Sequence, residues 1–190
     1  MKQKIINLYQ FEELTDEQKT KVLDKHRDIE VELMNANDDT YTNPIHDAGF
    51  LAPDVYCDLS YCQGSGACFD CNEFDFDLLL KSWEHPHKKW IIDIIKAYFR
   101  PTIETTTYRY SHEKSRCFGL FDDLPKNCKH IEEATFLAQV YIEGLRFELS
   151  KKLTEQLYND LEYLRSDEVV KDFLISNDYY FNGETLEIEY

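Results

Sequence analysis

At 190 residues and 43% hydrophobic content, the chain is long enough to bury a core without disulfide or metal staples and too apolar to be disordered throughout. Thirty-seven acids against 21 bases leave a net charge of −16, which repels phosphate backbones and attracts basic proteins. Residues Met1 to Asn7 hold no apolar run long enough for a signal peptide, and stretches such as Trp90 to Ile95 are too short to span a bilayer, so the six cysteines are expected as cytoplasmic thiols or ligands.

In chain order, Ile5, Leu8, Tyr9 and Phe11 read as a short edge strand. Thr15 with Gln18 three residues on forms a capping box, and Val22, His26, Ile29 and Leu33 continue at helical spacing, which predicts a helix over about 16–35. His26 lies on the apolar stripe and is expected to pack there rather than bind a ligand. Asn35 to Pro44 reads as a polar loop. Residues 54–74 are rich in aromatic and β-compatible side chains around Gln63-Gly64-Ser65-Gly66, and predict an antiparallel hairpin with a two-residue turn at Gly64-Ser65. Leu78 to Phe99 reads as helix interrupted near Pro86. Thr102 to Ser111 and Arg116 to Phe121 read as paired strands joined through His112 to Ser115, and Asp122 to Lys129 as a loop. From about Ile131, the series Ile142, Leu145, Leu149, Leu153, Leu157, Leu161, Leu164 keeps helical spacing, and Ser166 caps a further helix to about Ile175. Asn182-Gly183 marks a closing hairpin between Tyr179 and Glu189. The order predicts one α+β domain over 1–190, with a small antiparallel sheet of hairpins packed on an N-terminal helix and a long C-terminal helical region.

Three clusters around the hairpin are candidates for chemistry. Cys57, Cys62, Cys68 and Cys71, spaced C-x4-C-x5-C-x2-C, invite zinc. With Gly64-Ser65 as the turn, however, Cys57 and Cys68 fall on one face and Cys62 and Cys71 on the other, so a shared site needs a bulge, and buried thiols filling a sheet are the competing reading. Asp54, Asp58, Asp70, Glu73, Asp75 and Asp77 crowd the same segment. The same register sends Asp58 and Asp70 to different faces, which argues against a shared Mg²⁺ site and for a solvated acidic rim. Gly64 and Gly66 fit a tight turn better than a phosphate cradle, since a following helix and a Walker lysine are missing. His112 beside Glu113 is a candidate general base, with no nucleophile tied to it by sequence.

Several segments together resemble an uncharacterised family of bacteriophages and mobile elements: Tyr9 to Thr15 leading into Lys19 to Arg27, Tyr61-Cys-Gln-Gly-Ser-Gly-Ala-Cys-Phe69, Tyr108-Arg-Tyr-Ser-His112, and Leu157 to Gly183. The most specific element is the QGxGACF hairpin, where Ser65 replaces the aspartate of a QGDGA pattern. Some members are labelled antitoxin-like, and phage accessory proteins of this size include anti-CRISPR inhibitors. No catalytic residues come with the resemblance.

Charge and resemblance together predict a non-enzymatic accessory protein in the bacterial cytoplasm. It binds and inhibits a basic, nucleic-acid-handling host protein, a Cas nuclease or a toxin, without touching nucleic acid or membrane itself. The expected face is Asp58, Asp70, Glu73, Asp75 and Asp77, dense in acids with few bases before Lys81, with Tyr56 and Tyr61 stacking on guanidinium groups. A second dense run, Glu148 to Asp172, is partly offset by lysines and arginines. The competing functions are an RNA phosphodiesterase acting with a partner through these acids and His112, an antitoxin, and a small zinc-binding structural module. No cofactor other than zinc is suggested.

Overall fold

Thr15 Oγ1 accepts a hydrogen bond from the Gln18 backbone N–H, and the Thr15 backbone N–H donates to Gln18 Oε1 in return, so the first helix starts where the capping box places it. The computed structural model describes residues 7–29, 31, 34–107, 110–122 and 129–189. By its contacts the chain divides into two compact units, Met1–Met34 with Tyr158–Tyr190, and Asn35–Leu157.

In the first unit, β1 (Leu8–Gln10) pairs antiparallel with β8 (Tyr180–Asn182), which pairs in turn with β9 (Ile188–Glu189), giving the order β1-β8-β9. Helices α1 (Asp16–Lys25) and α6 (Asp167–Ser176) contribute Val22, Val170 and Leu174 to a core shared with Phe11, Leu14 and Phe181. The Phe11 and Phe181 rings meet edge-on at 6.4 Å. Ser166 caps α6 as the sequence predicts.

The predicted helix over 16–35 stops at Lys25. The backbone N–H of His26 reaches the carbonyls of both Val22 and Leu23, and Ile29 bonds back to His26 in a tighter turn. That turn lets Ile29 pack on the core. His26 sits against the Phe181 ring, and desolvation by burial pushes its pKa down. The closing hairpin is present but turns differently from Asn182-Gly183. Asn182 N–H donates to Glu187 O, Leu186 N–H donates to Asn182 O, and Leu186 takes the left-handed conformation at φ 57°. The Asn182 side chain fixes the loop by accepting from the Glu184 and Thr185 amides.

Among its described residues the second unit holds three two-stranded antiparallel sheets. They pair β2 (Phe50–Leu51) with β5 (Glu73–Phe74), β3 (Asp54–Asp58) with β4 (Gly66–Asp70), and β6 (Phe99–Thr105) with β7 (Arg116–Asp122). The expected loop from Asn35 to Pro44 is in part a helix, α2 (Asp39–Asp47). Asp38 caps it by accepting from Thr40 N, and Tyr41 and Ile45, one turn apart, are buried beneath it. Pro44 stays inside α2 at the cost of one backbone bond. Helices α3 (Phe76–Leu79) and α4 (Lys88–Tyr98) flank the predicted break near Pro86. The register Phe99↔Asp122 through Thr105↔Arg116 puts β6 three residues earlier than its predicted start and tolerates Pro101 on an edge strand. The connecting residues 106–115 are partly outside the described set, as are most of the predicted loop 122–129 and the first two residues of the predicted edge strand.

Helix α5 (Lys129–Leu164) is the long C-terminal helix. Its Ala138, Ile142, Leu153 and Leu157 are buried in this unit, as are Phe50, Phe69, Leu79, Ile91, Ile95 and Phe118. The fold is α+β, with small antiparallel hairpin sheets, an N-terminal helix and a long C-terminal one. Among the described residues no helix is long and apolar enough to cross a membrane.

Phe181 is fully buried at the centre of the first unit. Phe181→Ala should lower unfolding free energy by about 3 to 5 kcal/mol in chemical denaturation.

Candidate functional site

The β3–β4 hairpin forms where the sequence predicts it, in a different register. Asp54 pairs with Asp70, Tyr56 with Cys68 and Asp58 with Gly66, so the connection is the loop 59–65 rather than a two-residue turn at Gly64-Ser65. Tyr61, at φ 57°, supplies the left-handed residue, and Gly66 opens β4 at φ 149°. Polar side chains hold the loop. Asp58 accepts from Ser60 N, Cys62 N–H donates to Ser65 Oγ at 2.9 Å, and Ser65 N–H returns to Cys62 O.

Both glycines serve contacts from the segment before β7. A Cβ on Gly64 would lie 1.8 Å from Cδ1 of Tyr110, and one on Gly66 would lie 3.1 Å from Cβ of His112. The Tyr110 and His112 rings stack at 5.8 Å and 17°. The QGSG loop and the Tyr110–His112 segment therefore meet in space, although Tyr108 and Arg109 lie outside the described residues.

The corrected register rearranges the cysteines. Cys57, opposite Ala67, and Cys68, opposite Tyr56, fall on opposite faces of the ribbon, contrary to the sequence reading. Cys68 and Cys71 are buried, and burial pushes their thiols up, Cys71 to about 12. Cys57 and Cys62 are exposed. Among the described residues no group of three or more His, Cys, Asp or Glu side chains is arranged to hold a metal ion. Cys62 differs from the others. Its Sγ accepts from Ser60 Oγ, Ser65 Oγ and the Gly64 backbone, and these bonds hold its pKa below the ordinary thiol value.

The acids divide by use. Asp58 and Asp70 share a face, in correction of the predicted parity, but sit at opposite ends of the ribbon. Asp70 is ion-paired to Arg116, whose guanidinium lies 5.0 Å from the centroid of the Tyr56 ring. The stacking role expected of Tyr56 toward a partner is thus filled by the chain's own arginine. Asp75 caps α3 by accepting from Asp77 N and Leu78 N, and Asp77 pairs with Lys96 at 2.7 Å. Asp54 and Glu73 are exposed, and Tyr61 stands out from the loop tip.

His112, the candidate general base, accepts a hydrogen bond at Nδ1 from Lys114 N at 3.0 Å.

Beneath the hairpin lies a polar group that the sequence reading missed. Arg146 is fully buried, with Nε and Nη2 both on Glu143 and Nη2 also on the Glu113 carbonyl. Glu143 accepts in addition from Phe118 N, and Thr154 Oγ1 accepts from Ala67 N. The only sequence signal was an acid and a base three apart inside an otherwise apolar helix face.

No protein-family model, no curated protein and no solved structure matches this chain.

Two outcomes follow from this geometry. Gly64→Ala should destabilise by about 2 kcal/mol or more through the Tyr110 ring, and Tyr110→Ala in the same chain should recover most of that loss, a coupling read by a double-mutant denaturation cycle. With limiting iodoacetamide and peptide mapping, Cys62 should label first, and its rate should rise through a pH range below that of an ordinary thiol. Ser60→Ala with Ser65→Ala should shift that range upward.

Proposed function

We propose that this chain is a phage or mobile-element accessory protein that acts by binding. It occupies the phosphate-binding groove of a basic, nucleic-acid-handling host protein, a Cas nuclease by preference and a toxin as the related case. The observation that carries the reading is a long stretch of exposed acids with no lysine or arginine near in sequence. No lysine or arginine occurs between Arg27 and Lys81, while Asp39, Asp47, Asp54 and Glu73 are all exposed there. The family resemblance supports the phage setting and the choice of target.

Long-range attraction between this surface and a groove evolved for nucleic acid speeds encounter and weakens with salt. Asp70, Asp75 and Asp77 have partners inside the chain, and the exposed Asp54 and Glu73 are the acids proposed to meet the partner's cations, with Asp58 and Tyr61 at the other end of the hairpin. The separation of Asp58 from Asp70 along the ribbon favours binding over metal-assisted phosphodiester hydrolysis.

The test is inhibition of DNA cleavage by purified Cas nuclease–guide complexes, titrated with the chain at low and high salt. One equivalent should inhibit at least one such complex, and Asp54→Lys with Glu73→Lys should weaken inhibition about tenfold or more while the fold stays intact. Inhibition by the double variant equal to that of the unaltered chain would remove this face from the proposal. Turnover of labelled RNA by catalytic amounts of the chain would replace it with an enzyme.

A further inference from the structure

The outward face of α5 carries a second pattern, independent of the binding proposal. Glu133, Leu137, Val140, Gly144, Phe147 and Lys151 follow one another at spacings of four and three, the repeat of a coiled-coil seam. That seam is turned away from the core. Leu137 is 51% and Val140 53% exposed, Phe136 beside them is 60% exposed, and Glu133, Gly144 and Lys151 are exposed as well. A Cβ placed on Gly144 meets nothing within 4 Å, and the surface around it is concave, edged by Val140, Tyr141, Leu145 and Phe147.

The order of residues along the seam is self-complementary when reversed. Glu133 lies seven residues before Val140, and Lys151 lies seven residues after Gly144. Leu137 lies three before Val140, and Phe147 three after Gly144. Antiparallel helices pair the two seam positions crosswise. A second copy laid head to tail therefore sets Val140 over the other copy's Gly144, Leu137 against Phe147, and Glu133 against Lys151, each contact occurring twice about a two-fold axis. The missing side chain at Gly144 receives the branched Val140, so the backbones approach closely at the centre. Neither Glu133 nor Lys151 makes an ion pair among the described residues. A parallel pair would instead set like charges together and leave Val140 against Val140.

We infer that α5 is a homodimerisation surface, on which a second copy of this chain docks antiparallel through Glu133, Leu137, Val140, Gly144, Phe147 and Lys151. The seam is about five turns long, which places the dimer among small, weak interfaces with dissociation in roughly the micromolar to tens-of-micromolar range. The net charge of −16 opposes association, so the dimer strengthens as salt screens the repulsion between copies.

Sedimentation equilibrium of the full chain under reducing conditions, from about 5 to 500 µM, reads this directly. The expected result is a reversible monomer–dimer equilibrium. Val140→Glu should weaken it about tenfold or more. Gly144→Gln should do the same while leaving the thermal midpoint of the monomer unchanged or higher, because it adds a good helix former in open space. That opposite sign separates loss of docking from loss of fold. Glu133→Lys and Lys151→Glu should each weaken the dimer, and the two together should restore it. A monomer at every concentration overturns the proposal, as does a dimer indifferent to both Val140→Glu and Gly144→Gln. Failure of the charge swap to restore the dimer overturns the antiparallel arrangement.

Discussion

The guanidinium of Arg146, held in a fork by Glu143 and closed off from water, is the constraint around which the second unit is arranged. Its value for net stability is modest, because desolvating two charges offsets most of their attraction. Its value for geometry is large. Breaking the pair would leave one charge buried without a partner, so the segments hydrogen-bonded to Nε and Nη2 have little freedom to move. Glu143 takes the amide of Phe118 on β7, and Arg146 takes the Glu113 carbonyl ahead of it. Two turns further along the same face, Thr154 takes the amide of Ala67 on β4. Helix α5 thereby sets the height of two hairpins whose strands are separate in sequence.

From that placement the rest of the site follows. With β4 and the segment before β7 both tied to α5, Tyr110 comes down on Gly64, where only glycine leaves room, and His112 packs closely on Gly66. The Arg116–Asp70 pair, with Tyr56 under the guanidinium, closes the same junction from the side. The acids of this region thus fall into two populations. One is consumed in holding the hairpin to its neighbours, and the other faces outward with no cation near in sequence.

Much of this fold was legible in the residues. The Thr15 and Ser166 caps, the long apolar period of α5, the hairpin around the glycines and the α+β class all follow from local chemistry, and the structure has them. The errors came where a local signal answered to a distant partner. Gly64 and Gly66 suggested a tight turn because glycine is the usual turn residue, yet they are small because of Tyr110 and His112, more than 40 residues later. The polar run Asn35 to Pro44 suggested a loop, and from Asp39 on it is a helix that buries Tyr41 and Ile45. Asp70 suggested a partner-facing acid because Arg116 lies 46 residues away. Glu143 and Arg146 drew no notice because charges on a helix are ordinarily assigned to water.

The pairing of β1 with β8 sets an order on the chain's maturation. Leu8 faces Asn182 and Gln10 faces Tyr180, so the first strand emerges from the ribosome long before its only neighbour in the sheet exists. Phe11, Leu14 and Val22 must likewise wait for Val170, Leu174 and Phe181 before they leave water. The second unit lies wholly between those partners and has its own core, so its residues are all available while the first unit is still half made. During that interval the nascent chain exposes Phe11, Leu14 and Val22, and a truncation that ended synthesis before residue 180 would leave them without Phe181 to cover them.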